Sequence, residues 1–221
     1  MSVAVLIPFV SEDKDRIAAF KAVCKWWKDN FGFQVVKGIA DPYTKGAALS
    51  DAAARARADI YCIADADCIL QEPWRITEIV KAIEAGQFEW AVPHGKVHRL
   101  TEEATNDYYA RGDCDITDIH YPPYTGCKGG GLVVLSRRAW EEVGGIEPRF
   151  VGWGGEDVAF GYALELLVGK PHIGNGRLIH LWHEEQGPKR PMSPYSLKLI
   201  ELYQEARYSP AKMRELIAQR S

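Results

Sequence analysis

The chain has 221 residues, 47% of them hydrophobic and 26% charged, enough for one large domain with a full core. A formal net charge of −3 argues against a dedicated nucleic-acid binder, which would carry a basic excess. Five cysteines without a CxxC pair fit neither a disulfide framework nor a zinc site, so reduced thiols and a cytoplasmic setting are expected. Neither a basic leader with a cleavage site nor an apolar run near ~20 residues occurs, so no signal peptide or membrane span is expected.

Val3-Ala4-Val5-Leu6-Ile7 is a continuous apolar run, the pattern of a buried parallel strand, and Pro8 ends it. Ile17, Phe20, Cys24 and Trp27 then recur at helical spacing. Phe33 to Val36 predicts a second strand, Asp41-Pro42-Tyr43-Thr44 a turn, and alanine-rich Lys45 to Ala58 a helix. Ile60 to Ala64 predicts a third strand, and Ile76, Ile79, Val80 and Ile83 a third helix stopped by Gly86. Glu89 to Pro93 predicts a short fourth strand. This alternation implies α/β architecture with a doubly wound, mostly parallel sheet. No GxGxxG follows the first strand, which disfavours a nicotinamide enzyme.

Lys96 to Gly126 is polar and broken, a long functional or mobile excursion. Gly129-Gly130-Gly131 opens a strand over Leu132 to Leu135, and marks either a close backbone approach or a bulge. Arg137 to Val143 predicts a short helix closed by Gly144-Gly145. Ala159, Tyr162, Ala163 and Leu166 put Glu156 and Asp157 in the first turn of the next helix. Acids there are favoured by the helix dipole alone, but Gly152, Gly154 and Gly155 before them also clear room for a ligand. Leu178 to Trp182 predicts a last strand carrying His180 and leading to His183. A polar loop over Glu184 to Pro194 holds Lys189 and Arg190. Two helices close the chain, one through Leu199, Leu202, Tyr203 and Ala206, the other starting at Ser209-Pro210.

The acid pair Asp65-Ala66-Asp67 stands at the end of an apolar strand, unlike Asp13-Lys14-Asp15 and Asp113-Cys114-Asp115. Ligands collect at the carboxyl ends of strands in open α/β sheets. Unpaired carboxylates beside a buried strand are costly, and a bound divalent cation is one reason to keep them.

With these residues the chain resembles a glycosyltransferase of the GT-A fold. Asp65-Ala66-Asp67 looks like that fold's DxD motif. Gly152-Trp153-Gly154-Gly155-Glu156-Asp157 is similar to the acceptor-side motif of β-1,4-galactosyltransferases, polypeptide N-acetylgalactosaminyltransferases and bacterial chondroitin-type polymerases. Ile7-Pro8-Phe9 looks like the galactosyltransferases' opening strand, and Lys45-Gly46-Ala47-Ala48 resembles a segment of the family 2 enzymes. His183-Glu184-Glu185-Gln186-Gly187-Pro188 looks like the segment that completes the metal site in chondroitin-type enzymes. The resemblance covers about Val3 to Leu70 and Gly129 to Pro188. Residues 96–126 match nothing in it, and neither the anchor nor the paired cysteines of Golgi relatives are expected.

The resemblance implies a single GT-A domain over residues 1–221. Its parts would be a nucleotide-sugar half (1–95), a variable excursion (96–128), an acceptor and catalytic half (129–194) and C-terminal helices (195–221). It implies metal-dependent, inverting transfer from a UDP-sugar to a hydroxyl of a carbohydrate or other acceptor, with Mn²⁺ or another divalent cation such as Mg²⁺. Asp67 would ligate the cation directly, His183 would supply the imidazole, and Asp65 would contact ribose or metal-bound water. His180 is the rival imidazole; on a strand, positions 180 and 183 face opposite sides, so only one should reach the ion. Asp157 would be the general base and Glu156 would hold the acceptor. Pro8, Phe9 and Asp41 would contact base and ribose, with Lys45, Gly154 and Gly155 also lining the donor site. Trp153 would stack on a sugar or pack in the core. Lys189 and Arg190 would close on the diphosphate or form a solvated turn. Two further readings stand beside this one: a sugar nucleotidyltransferase, and a non-catalytic carbohydrate-binding relative.

Overall fold

A computed structural model gives the structure of the protein and describes residues 1–152, 154–184 and 192–220. The expected segments Trp153 and 185–191, with Lys189 and Arg190, lie outside the described residues. The chain runs β1 (Val3–Pro8), α1 (Lys14–Asn30), β2 (Gln34–Gly38), α2 (Lys45–Arg55), β3 (Ile60–Ala64), β4 (Cys68–Leu70), α3 (Trp74–Glu84), β5 (Trp90–Arg99) and α4 (Glu102–Arg111). It continues through β6 (Leu132–Ser136), α5 (Arg137–Glu142), α6 (Glu156–Leu167), β7 (His172–His180), α7 (Pro194–Ala206) and α8 (Pro210–Ala218).

All seven strands form one sheet in the order β2-β1-β3-β6-β5-β7-β4. β1 pairs in parallel with β2 and β3, and β5 with β7. β6 lies antiparallel between β3 and β5, and β4 antiparallel on β7. Thus β1, β2, β3, β5 and β7 point one way, as a mostly parallel sheet requires, but the sheet is mixed. β5 runs in the same direction as β3, with β6 inserted between them.

The alternation of side chains along each strand builds two apolar layers. Ala4, Leu6, Tyr61 and Ile63 face α2, α5, α6, α7 and α8. Val5, Ile7, Ile60 and Cys62 face α1, α3 and α4. Ala4, Val5, Leu6 and Ile7 are all fully buried, and each large side chain so placed contributes ~1.5–3 kcal/mol.

Several boundaries differ from the sequence expectation. β5 runs on to Arg99, and α4 follows, so the excursion after Pro93 is partly regular structure. β7 begins at His172 and stops at His180, leaving Leu181 and Trp182 beyond the strand. The helix from Lys45 ends at Arg55. β4 follows the acid pair almost at once.

Candidate active site

The carboxyl end of β3 is the pivot of the site. The strand ends at Ala64, and the Asp65 N–H donates to Gly131 O at 2.9 Å. The Gly131 N–H returns the bond to Asp65 Oδ2 at 3.1 Å. The backbone bond continues the β3–β6 register by one residue, and the side-chain bond holds the Asp65 carboxylate against the glycine triplet. The chain then turns and enters β4, and the Leu181 N–H fixes the turn by donating to Asp67 O at 2.8 Å.

Lys45 sits at the start of α2, where the Thr44 side chain caps the helix by accepting from the Ala47 N–H. Its ammonium stands 2.6 Å from Asp65 Oδ1 and 2.7 Å from Asp157 Oδ1. Asp157 lies in the first turn of α6, whose N-cap, Gly155, offers no side chain to the helix end. Two acids almost a hundred residues apart in sequence therefore share one cation. Burial opposes the charge of Lys45, but Asp157, Asp65 and Glu156 outweigh it and hold the ammonium protonated. Burial pushes the Asp157 carboxyl up to about 7; Lys45 pulls it down, while Asp65 and Glu156 add to the rise. Glu156 Oε2 is buried with no hydrogen-bond partner among the described residues.

Asp67 faces two imidazoles. His183 Nε2 is 3.2 Å and His180 Nε2 3.6 Å from its Oδ2. Burial works against the Asp67 charge, yet His180 and His183 hold the carboxyl well below the usual range. Asp67 in turn raises His183, whereas burial lowers His180. Only one of these imidazoles was expected to reach the ion, and both stand near Asp67. Strand parity does not extend to residue 183, because β7 stops at His180. His183 Nε2 is close to Asp67 yet makes no hydrogen bond with it, a buried nitrogen aimed at the carboxylate and off the bonding direction. A carboxylate with two converging imidazoles, one carrying an orphaned nitrogen, fits the oxygen and nitrogen donor set of a divalent transition ion. Asp67, His180 and His183 are the residues that could hold it, with Asp65 alongside.

The glycine triplet approaches the chain itself. A Cβ on Gly130 would lie 2.7 Å from Asp157 Oδ2, and one on Gly129 would strike the Asp157 carbonyl oxygen at 2.1 Å. These glycines let the start of β6 seat against the start of α6. Gly155 also faces protein: its Cβ would meet the Phe150 ring and Met192, so the room expected there for a ligand is filled.

The other expected residues sit at or beyond the carboxyl ends of β1 and β2. Pro8 is buried, and the Phe9 ring stacks on Phe20 with centroids 4.3 Å apart, under Lys37. That leaves little of Phe9 for a base to stack on. Asp41 is exposed on the loop after β2. Tyr43, read in sequence only as a turn residue, is instead a half-exposed aromatic within the electrostatic reach of Lys45, Asp65 and Glu156. Cys127 also went unnoticed in sequence; its Sγ stands beside Gly130 and close to the Asp157 carboxyl.

Compared with known proteins, residues 111–166 match the family model described as the N-terminal domain of galactosyltransferase. That stretch holds the glycine triplet, Glu156 and Asp157. A search of curated protein sequences finds no match. Among solved structures, the catalytic domain of Drosophila β1,4-galactosyltransferase 7 in complex with xylobiose is similar at 13% identity and a TM-score of 0.53, over 90% of this chain and 79% of that one. The same enzyme has a structure with manganese, UDP-Gal and xylobiose. GalNAc-T7 with UDP, GalNAc and Mn²⁺ is similar at 15% identity and a TM-score of 0.54, over 95% of this chain and half of that one. Glucosyl-3-phosphoglycerate synthase from Mycobacterium tuberculosis, with Mn²⁺, UDP-glucose and phosphoglyceric acid, is similar at 16% identity and a TM-score of 0.50, over 93% of this chain and 79% of that one. The fold is that of the GT-A glycosyltransferases.

Proposed function

We propose that the protein is a divalent-cation-dependent, inverting glycosyltransferase that moves a sugar from a UDP-sugar to a hydroxyl of a carbohydrate or similar acceptor. The observation that carries this reading is the Lys45 bridge, which joins Asp65 to Asp157 through one ammonium. The match of residues 111–166 to a galactosyltransferase model supports it, as do neighbours solved with UDP-sugars and Mn²⁺.

As the glycosidic bond of a nucleotide sugar breaks, negative charge grows on the leaving diphosphate. A bound Mn²⁺, or another divalent cation such as Mg²⁺, supplies Lewis-acid neutralisation of that charge. Asp67, His180 and His183 would hold the ion, and Asp65 would contact ribose or water on it. Lys45 adds fixed positive charge between the donor and acceptor sides.

An acceptor hydroxyl is a weak nucleophile and needs a base within hydrogen-bond reach. Asp157, with its carboxyl raised to about 7, accepts that proton near neutral pH. The orphaned Glu156 Oε2 accepts a hydrogen bond from another hydroxyl of the same acceptor, holding it in place. Attack from the Asp157 side, opposite the leaving diphosphate, inverts the anomeric centre, so an α-linked donor gives a β bond.

The test is UDP release from a panel of UDP-sugars with Mn²⁺, with and without sugar acceptors. Slow hydrolysis, accelerated by an acceptor and abolished by a chelator, is the expected result. Pyrophosphate-dependent formation of UTP would mark a nucleotidyltransferase instead. Asp157→Asn should abolish transfer while UDP-sugar binding persists by calorimetry. Transfer that survives this change would remove Asp157 as the base.

A further inference from the structure

The register of the last strands brings a thiol into the cation cluster. Cys68 opens β4 and pairs directly with His180 on β7. Residues paired across antiparallel strands put their side chains on one face, with Cβ atoms about 4.5–5.5 Å apart. Arg99 on β5 pairs with His180 from the other side, so a row of Cys68, His180 and Arg99 crosses three strands. The Cys68 thiol donates to Asp67 Oδ1 at 3.3 Å, while His180 Nε2 stands 3.6 Å from Oδ2 of the same carboxylate. One ligand atom from each of Asp67, Cys68 and His180 lies within 4.8 Å of the other two.

Bonds of 2.0–2.3 Å in a tetrahedral site set neighbouring ligand atoms roughly 3.3–3.8 Å apart. The Cys68 sulfur stands 3.3 Å from Oδ1 and the His180 nitrogen 3.6 Å from Oδ2, the two oxygens of one carboxylate, and each separation falls in that range. Cys68 is buried and forms no disulfide.

We propose that Cys68 Sγ is itself a ligand of the divalent cation, giving the site a mixed oxygen, nitrogen and sulfur donor set that selects thiophilic ions over Mg²⁺. This rests on the cation-dependent reading above. On binding, the S–H bond breaks, its proton leaves to water, and a sulfur–metal bond forms. Asp67 Oδ1 then loses its hydrogen bond from the thiol and turns to the ion. Soft thiolate donors favour Zn²⁺ and Co²⁺ over hard Mg²⁺.

Cobalt is the probe, because thiolate ligation gives Co²⁺ a near-ultraviolet charge-transfer band. Titration of the metal-free protein with Co²⁺ should raise this band to saturation at one equivalent. Cys68→Ser and Cys68→Ala should each abolish it, and Cys127→Ser should leave it intact. Co²⁺ affinity of the Cys68 variants should fall about tenfold or more, with Mg²⁺ affinity unchanged. X-ray absorption of the wild-type complex gives a readout independent of any variant's folding: a sulfur scatterer at about 2.3 Å is expected. Co²⁺ binding by calorimetry without the band or the scatterer overturns the Cys68 ligand and leaves the cation site standing. A band that survives loss of Cys68 overturns it too. Failure of both Co²⁺ and Mn²⁺ to bind overturns this proposal and the cation-dependent reading together.

Discussion

At Asp157, burial and an ion pair compete over one proton. Burial raises the carboxyl to about 7, and Lys45 limits the rise. A general base works only when deprotonated, so kcat/KM should be low in acid, climb through pH 7 and level off above it. Lys45→Met removes the charge that lowers the carboxyl and should move this limb to higher pH. A limb that stays below pH 5 in the wild-type profile would exclude Asp157 from the role. Gly130 offers a second check, because an added Cβ would press on Asp157 Oδ2 at 2.7 Å and Cys127 Sγ at 2.9 Å. Gly130→Ala should lower kcat roughly 100-fold through displacement of the base, with circular dichroism unchanged. An unaltered kcat would mean that Asp157 tolerates displacement and is not positioned for chemistry. The acids of the site were legible in the sequence because each follows a pattern boundary: Asp65 and Asp67 end a strand, Glu156 and Asp157 begin a helix. Tyr43, Cys68 and the contact of Gly130 with Asp157 were not, because they depend on which strand lies beside which. Strand parity could not order His180 and His183, because a period of two holds only while the strand lasts and β7 stops at His180.

Among the elements, the seat of α2 and α6 decides whether Lys45 can reach both acids. A Cβ on Gly46 would strike the Glu147 carbonyl oxygen at 2.6 Å, so α2 begins directly against the loop before α6. That loop is held from inside. Glu147 is fully buried and accepts from Arg149, Tyr203 and Arg220. Arg220 also donates to the carbonyl oxygens of Val143, Gly144 and Gly145, tying the end of the chain to the turn after α5. Glu147→Gln leaves two guanidinium groups short of their counter-charge and should cost roughly 3 kcal/mol in urea unfolding. Burial opposes the Glu147 charge, but Arg149, Tyr203 and Arg220 hold its carboxyl below the ordinary value. Its stabilising contribution is therefore complete above about pH 4.3, the unfolded value, and is lost as the pH falls through the lower folded value. The gap in stability between wild type and Glu147→Gln should close over that acid window, and a gap independent of pH would rule out charge as the cause. The strongly periodic helices were legible, since each buries a regular apolar stripe. Helix α4 was not: of its ten residues only Ala104 and Thr105 are buried, which leaves no stripe to read. Its caps, Thr101 and Gly112, were the signal available.

Across the whole molecule, the inserted strand β6 builds the candidate site. Running antiparallel between β3 and β5, it starts beside the end of β3, so the glycine triplet before it meets Asp65 on one side and Asp157 on the other. A purely parallel sheet would have sent that loop to the opposite edge. The sequence carries the apolar run of β6 but nothing about its direction, which long-range pairing alone fixes. The three-residue β4 is equally silent in the sequence, yet it pairs with β7 and brings Asp67 to His180 and His183. Cation binding should therefore clamp distant parts of the chain: the β3–β4 turn and the end of β7. A ligand held only by the folded state stabilises it by about 2.7 kcal/mol at a hundredfold excess over its Kd. For a chain of this length that is a rise of about 5–10 °C in the melting temperature. Mn²⁺ with UDP should produce such a rise in the wild-type protein. Asp67→Asn should lose most of it, because it removes the carboxylate between the imidazoles, while keeping the unliganded melting temperature near that of wild type. A full shift in Asp67→Asn would move the cation away from this cluster and leave the convergence of β4 and β7 a matter of folding alone.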